Sequence, residues 1–300
     1  MATERTGMTT NEFAAGMFDL DGATEYKNIM VYGGPGSGKT VLAGTVPGRI
    51  LFLAGEPGYI SAARLGATGK ARLIPDTATA VAAAAWLEDG GASQFDWVIA
   101  DGLGTMQNKF LLNYAAEAYD ANPAKRAHRN LPDKPDYFNA QNMIKSWVSR
   151  LIDLPCNTLF TAHAMFPEDK STGEQLVYPS IQGKGYEIAS YICGLMHAVG
   201  YMSPRIKQTD AGAVEVRRII WQMTRNAETE TTYFAKDQFN ALGRFTDDAT
   251  MKELNAVIDS GHQNAIEGQV VGPAAIEPPD AQVVGYKKAT PARRRAPARR

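Results

Sequence analysis

Gly33, Gly34, Pro35, Gly36, Ser37, Gly38, Lys39 and Thr40 stand in unbroken order. They satisfy G-x-x-x-x-G-K-[ST] at every fixed position, a pattern that belongs to polyphosphate binding. Glycines let backbone N–H groups close around an anion in conformations that other residues avoid. Lys39 offers a point charge to the β- and γ-phosphates, and Thr40 a hydroxyl to Mg²⁺. Val41 extends the backbone cradle by one amide. The chemistry expected is binding of ATP with Mg²⁺, followed by hydrolysis.

Such a loop works only if it is held between particular elements. Residues 28–32, NIMVY, read as a buried strand entering it. Residues 41–43 read as the first turn of a helix that starts at the anion. A second apolar run, 49–54, predicts another buried strand, ending in Gly55-Glu56-Pro57-Gly58. In an open α/β sheet, ligands lie beyond the carboxyl ends of the strands. Glu56 falls there, as the base that would deprotonate an attacking water, or as a turn glutamate. Residues 95–101, FDWVIAD, predict a strand that presents Asp101 at its tip to the magnesium shell. Asp101 follows the loop by about sixty residues, which suits that role. Asp96 competes but precedes the apolar run. Residues 157–162, NTLFTA, predict a further strand ending at His163. A polar side chain there senses the γ-phosphate or is a hydrogen-bonded structural residue.

The rest of the chain supplies partners and boundaries. Three hundred residues with 44% apolar content allow a sizeable core. Two cysteines, Cys156 and Cys193, make neither a disulfide framework nor a zinc site, which suits a reducing cytoplasm. The first residues contain no apolar stretch of the signal-peptide kind, and the longest apolar run, 80–87, is too short to span a bilayer. The net charge of -1 is unevenly placed, with Lys287, Lys288, Arg293, Arg294, Arg295, Arg299 and Arg300 in the last twenty residues and no acid among them. The remainder therefore carries about -8.

The expected organisation is a flexible arm over 1–25, an ATPase domain over 26–250, a C-terminal helix over 251–267 and a disordered basic tail over 268–300. Helices are expected near 59–65, 78–87 and through a long insertion at 105–150. Within that insertion, 119–137 mixes Lys125, Arg126, His128, Arg129 and Lys134 with prolines and tyrosines. That mixture suits single-stranded nucleic acid, or a solvated loop between helices. Residues 165–185 read as a long polar loop. Residues 195–201 and 214–223 read as strands joined by a turn at 210–212. Arg225 and Lys236 follow as cations that reach a phosphate in their own subunit or a neighbour's, or serve as surface charges.

The order of these parts resembles the ATPase core of RecA-like recombinases, and most of all short phage-encoded RecA-core proteins of single-strand annealing. The resemblance runs from Lys27 to about Arg244, and its most telling stretch is ILFLAGEPGYISAARLG. It implies an α/β fold with a central, mostly parallel sheet flanked by helices. It also implies that Glu56 is the water-activating base and that His163 stands at the γ-phosphate sensor position, where RecA itself commonly has glutamine. Single-stranded DNA is the implied partner, through 119–137, 165–185 and the tail 281–300. A homo-oligomer or filament and a phage single-strand-binding protein are further implied partners, and no membrane is expected. Two other functions fit the same residues: a helicase-loader-like oligomer acting on a protein, and an annealing protein in which ATP is only a structural switch.

Overall fold

The computed structural model describes residues 26–167, 173, 175–210, 212–226 and 230–266. The predicted arm and the basic tail lie outside the described residues. The phosphate-binding stretch begins where β1 (Asn28–Gly33) ends, and α1 (Lys39–Ala43) follows it. Then come β2 (Ile50–Ala54), α2 (Tyr59–Arg64), β3 (Lys70–Leu73), α3 (Thr77–Glu88), β4 (Trp97–Asp101) and α4 (Leu103–Ala121). The second half continues with α5 (Lys134–Ile152), β5 (Asn157–Met165), β6 (Gln175–Pro179), α6 (Glu187–Leu195), β7 (Ala198–Thr209) and β8 (Gly212–Ile220). Short strands β9 (Thr224–Asn226), β10 (Thr231–Tyr233), β11 (Lys236–Asp237) and β12 (Phe245–Asp247) precede α7 (Met251–Ile266).

The strands lie in the order β12-β8-β7-β1-β5-β4-β2-β3. From β7 to β3 all neighbours are parallel, whereas β8 and β12 add to the β7 edge antiparallel. The sheet is therefore mixed, with the expected parallel centre. β1 sits between β5 and β7, and β5 separates it from β4. All of β1, β2 and β4 is buried, as continuous apolar runs with helices on both faces require.

Alternation along these strands divides the core in two. Met30, Tyr32, Leu51, Leu53, Val98 and Ala100 face one cluster, closed by α3, α4, α5 and α6 through residues such as Leu87, Phe110, Trp147 and Ile192. Ile29, Val31, Ile50, Phe52, Trp97 and Ile99 face the other, closed by α1, α2 and α7 through Leu42, Ala62, Met251, Leu254 and Ile258. A period of two on a sheet buried on both faces produces this three-layer α/β arrangement.

Local signals set the helix starts. Asp76 caps α3 by accepting from the Thr79 amide at 2.7 Å. Asp133 and Asp136 form a reciprocal capping box at α5, with a proline in its first turn. Several expectations need correcting. Residues 165–185 do not form one loop. They contain β6, whose Val177 is fully buried, and Ile181 beyond it is buried too. Residues 168–172 and 174 lie outside the described residues. The strand expected from 195 begins at Ala198, because α6 runs to Leu195. β5 continues two residues past His163.

Candidate active site

Gly36 and Gly38 adopt φ of +74° and +99°, so the loop uses the left-handed backbone for which glycine was expected. Gly33 faces a closer constraint, since a Cβ there would meet the Met202 carbonyl oxygen at 2.1 Å. Ser37 and Lys39 are buried. The Lys39 ammonium donates to the Gly33 and Gly34 carbonyls at 3.1 and 2.9 Å, and to Ser37 Oγ at 3.4 Å. Burial pushes its pKa down, opposed by the charges of Asp101 and Glu56. α1 is shorter than a typical helix, so the anion-binding capacity rests on the loop amides and Lys39 more than on a helix dipole.

Asp101 ends β4 as predicted and is buried. Thr40 Oγ1 donates to its carboxylate at 3.0 and 3.2 Å. Thr161 Oγ1 on β5 donates to Asp101 Oδ1 at 2.5 Å and accepts from the Gly102 amide at 2.9 Å. Thr161 was not singled out in the sequence. The signal available was its place two residues before His163 on the strand that runs beside β4. Desolvation pushes the Asp101 carboxyl above its ordinary range, and the two threonine hydroxyls act against that shift. Asp96 stands at the other end of this segment, bound to Arg49 at 2.9 Å, which removes it as a competitor.

Glu56 reaches the same place from β2. Ala54 is in register with Asp101, and the Gly55 amide donates to the Asp101 carbonyl at 2.9 Å. A Cβ on Gly58 would lie 3.2 Å from Asp101 Oδ2 and 3.4 Å from Thr40 Oγ1. The 55–58 turn therefore covers the Thr40–Asp101 pair and leaves Glu56 exposed at its edge. His163 pairs in register with Gly33, the first loop glycine. Its Nδ1 is buried without a hydrogen-bond partner among the described residues, a condition uncommon for a buried polar atom.

The oxygen donors Thr40 and Asp101 fit a hard cation of the magnesium kind. Among the described residues no group of three His, Cys, Asp or Glu is arranged to hold a metal by itself. A cation bound by one or two protein oxygens and completed by substrate phosphates is the usual form for Mg²⁺.

Other predicted residues lie outside the Thr40–Asp101 cluster. Arg225 is exposed on β9, which pairs with β10 in a small second sheet that also takes in β6. Lys236 is committed as a cap, donating to the Gly194 and Met196 carbonyls at the end of α6 at 2.9 and 2.6 Å. In 119–137, Arg126 is paired with Asp136 and Asp133, and Arg129 with Asp120. Those two guanidiniums fasten the α4–α5 connection, because a nearby carboxylate is within reach of each.

Residues 25–239 match the AAA domain family. The chain belongs to that family. It is a P-loop ATPase of the AAA kind. A search of curated proteins finds no match. Among solved structures, it is similar to the flagellar accessory protein FlaH from Methanocaldococcus jannaschii, at 9% identity and TM-score 0.33 over 70% of this chain and 84% of that one. It is also similar to a KaiC-like protein from Pyrococcus horikoshii, at 11% identity and TM-score 0.33 over 67% and 81% of the two chains. Among the described residues, no helix is long and apolar enough to cross a membrane.

Proposed function

We propose that this AAA-family protein hydrolyses Mg-ATP in the service of single-stranded DNA, in recombination, annealing or replication of the phage type. The observation that carries the hydrolytic part is the convergence of Thr40, Asp101 and the Glu56 turn at one end of the parallel strands. Thr40 and Asp101 would hold Mg²⁺, which supplies charge neutralisation at the β- and γ-phosphates. Lys39 exchanges its loop carbonyls for phosphate oxygens. Glu56 accepts a proton from the attacking water, and its exposed edge position leaves room for that water. His163 Nδ1, unpartnered beside Gly33, suits a group that reads whether the terminal phosphate is present. Arg225 then contacts nucleotide in its own copy or in a neighbour.

The DNA part is supported by what adjoins this site. Tyr32, immediately ahead of the loop, donates from its hydroxyl to the Val177 and Phe234 carbonyls at 2.8 and 2.6 Å. Tyr178 stacks between Phe234 and the exposed Tyr186, with ring centroids 4.8 Å apart on each side. Lys184 is exposed nearby in sequence. Aromatic rings with cations beside them suit bases and phosphates of single strands, and this set is bonded directly to β1.

The test is the ATPase rate of the full chain with and without single-stranded DNA. Stimulation by DNA is expected. Turnover without stimulation would favour action on a protein partner. Nucleotide binding without turnover would leave ATP as a structural switch.

A further inference from the structure

β8 carries two adjacent arginines whose side chains, by strand alternation, take opposite sides. Arg218 is bound bidentately to Asp247 at 2.7 and 2.9 Å and lies over the Phe245 ring at 3.8 Å. Arg217 differs. Its backbone is fixed, with its amide donating to Asp248 Oδ1 at 2.8 Å and its carbonyl accepting from the Asp248 amide at 2.9 Å. Its guanidinium forms no ion pair among the described residues, and the residue is exposed.

That guanidinium is at the phosphate-binding loop. Arg217 Cδ and Nε each stand 3.0 Å from the point where a Cβ on Gly38 would be, with Met202 Cε at 3.4 Å. The sheet accounts for this placement. Gly33 is in register with Met202, and Met202 with Ile219, so Arg217, paired with Pro204, lies two residues further along, past the end of β1. Gly38 is thus glycine for two reasons, its φ of +99° and the arginine packed against it. A guanidinium fork with no ion pair among the described residues, beside an anion cradle, is a ligand-binding arrangement.

We propose that Arg217 is a nucleotide-holding residue that closes on the bound nucleoside phosphate from the flank opposite the metal. It rests on the P-loop reading above. The strand order places Asp101 and Glu56 on the β5 side of β1 and Arg217 on the β7 side. Arg217 therefore approaches the ligand from the flank away from Asp101 and Glu56. Arg217 contacts what nucleoside di- and triphosphates have in common. It contributes to affinity and leaves the chemical step alone.

The experiment uses the full chain as wild type, Arg217→Ala and Arg217→Lys. Affinities for ADP and ATP are measured with Mg²⁺ by calorimetry, alongside turnover at saturating ATP. Arg217→Ala should weaken ADP and ATP together by about tenfold, the scale of a charge-assisted contact. Saturated turnover should stay within about twofold, since the lost contact acts equally on ground and transition states. Arg217→Lys should recover part of the affinity, because it keeps charge but not the fork. Unchanged affinities in both variants, with wild type binding normally, overturn this inference alone. So does a loss confined to ATP, which would move Arg217 to the γ-phosphate. Failure of the wild type to bind either nucleotide overturns the P-loop reading and this inference with it.

Discussion

Asp101 and Arg217 flank the same loop from opposite sides of β1, in opposite surroundings. The Asp101 carboxylate is buried and takes hydrogen bonds from two threonines that come from different elements. Arg217 is exposed, its backbone is bonded to Asp248, and its guanidinium forms no ion pair among the described residues. Preorganisation is concentrated where charge must be placed accurately for chemistry, since a dry, hydrogen-bonded carboxylate cannot drift. On the other flank a long solvated side chain costs little to leave unpaired in water. The two flanks should therefore fail differently when altered, one in catalysis and metal dependence, the other in affinity.

The largest effect is expected from the residue between the flanks. Lys39→Ala removes the buried ammonium that bridges the loop. Turnover should fall by on the order of 10³-fold, with weakened nucleotide binding. Thermal unfolding of the variant without nucleotide should show a folded chain, because the lost partners are two carbonyls and a hydroxyl of the loop itself and the two core clusters do not include Lys39. Normal turnover would remove the loop from the mechanism.

Glu56→Gln comes next. It keeps size and hydrogen bonding but not the base, so hydrolysis should fall by ~10²-fold while ATP and ADP still bind. Unaltered hydrolysis would return Glu56 to a turn residue, and the comparison of flanks would then rest on the metal alone.

The loop, Asp101 and the position of Glu56 were legible in the sequence because each combines a residue type with an apolar strand before it. Strands buried on both faces write themselves as continuous runs, and 28–32, 49–54 and 97–101 are such runs. β3 was not legible, since Lys70–Leu73 is an exposed edge with no apolar signature. β6 was masked by its polar neighbourhood, although it buries Val177. Lys236 reads as a phosphate contact or a surface charge, and Arg126 as part of a nucleic-acid-binding or solvated stretch, because a sequence shows charge but not the carbonyl or carboxylate folded against it. Thr161 and Arg217 were missed for a related reason. Threonine in a strand usually signals only β propensity. Arg217 reaches Gly38 through pairing across β7, far from it in sequence.

Thr161→Val tests the rigid flank with a nearly isosteric change. It removes the donor to Asp101 Oδ1 and the acceptor for the Gly102 amide. The magnesium concentration needed for half-maximal turnover should rise about tenfold, as for other groups that orient a metal ligand. Affinity for ADP without Mg²⁺ should be unchanged. Loss of both together would mean that Thr161 supports the loop as a whole.

The smallest expected effect separates the flanks by pH. Burial raises the Asp101 carboxyl pKa, so protons compete for it at higher pH than for a free carboxylate. In the metal-free chain the sign of the stability term follows from that shift. A raised carboxyl contributes stability below its unfolded pKa and loses it as pH rises through the folded value, so at neutral pH the buried carboxylate opposes folding. Mg²⁺ binds the ionised form and relieves that cost. Magnesium affinity should therefore weaken by a few-fold, at most about tenfold per pH unit, as pH falls from neutral into the acid range. Because the terminal phosphate of the nucleotide gains a proton in the same range, the step is read as the difference between wild type and Asp101→Asn. One variant identifies the proton: Asp101→Asn should abolish the step. A step that persists in Asp101→Asn would assign the proton to another group and remove the buried Asp101 carboxylate from the metal site.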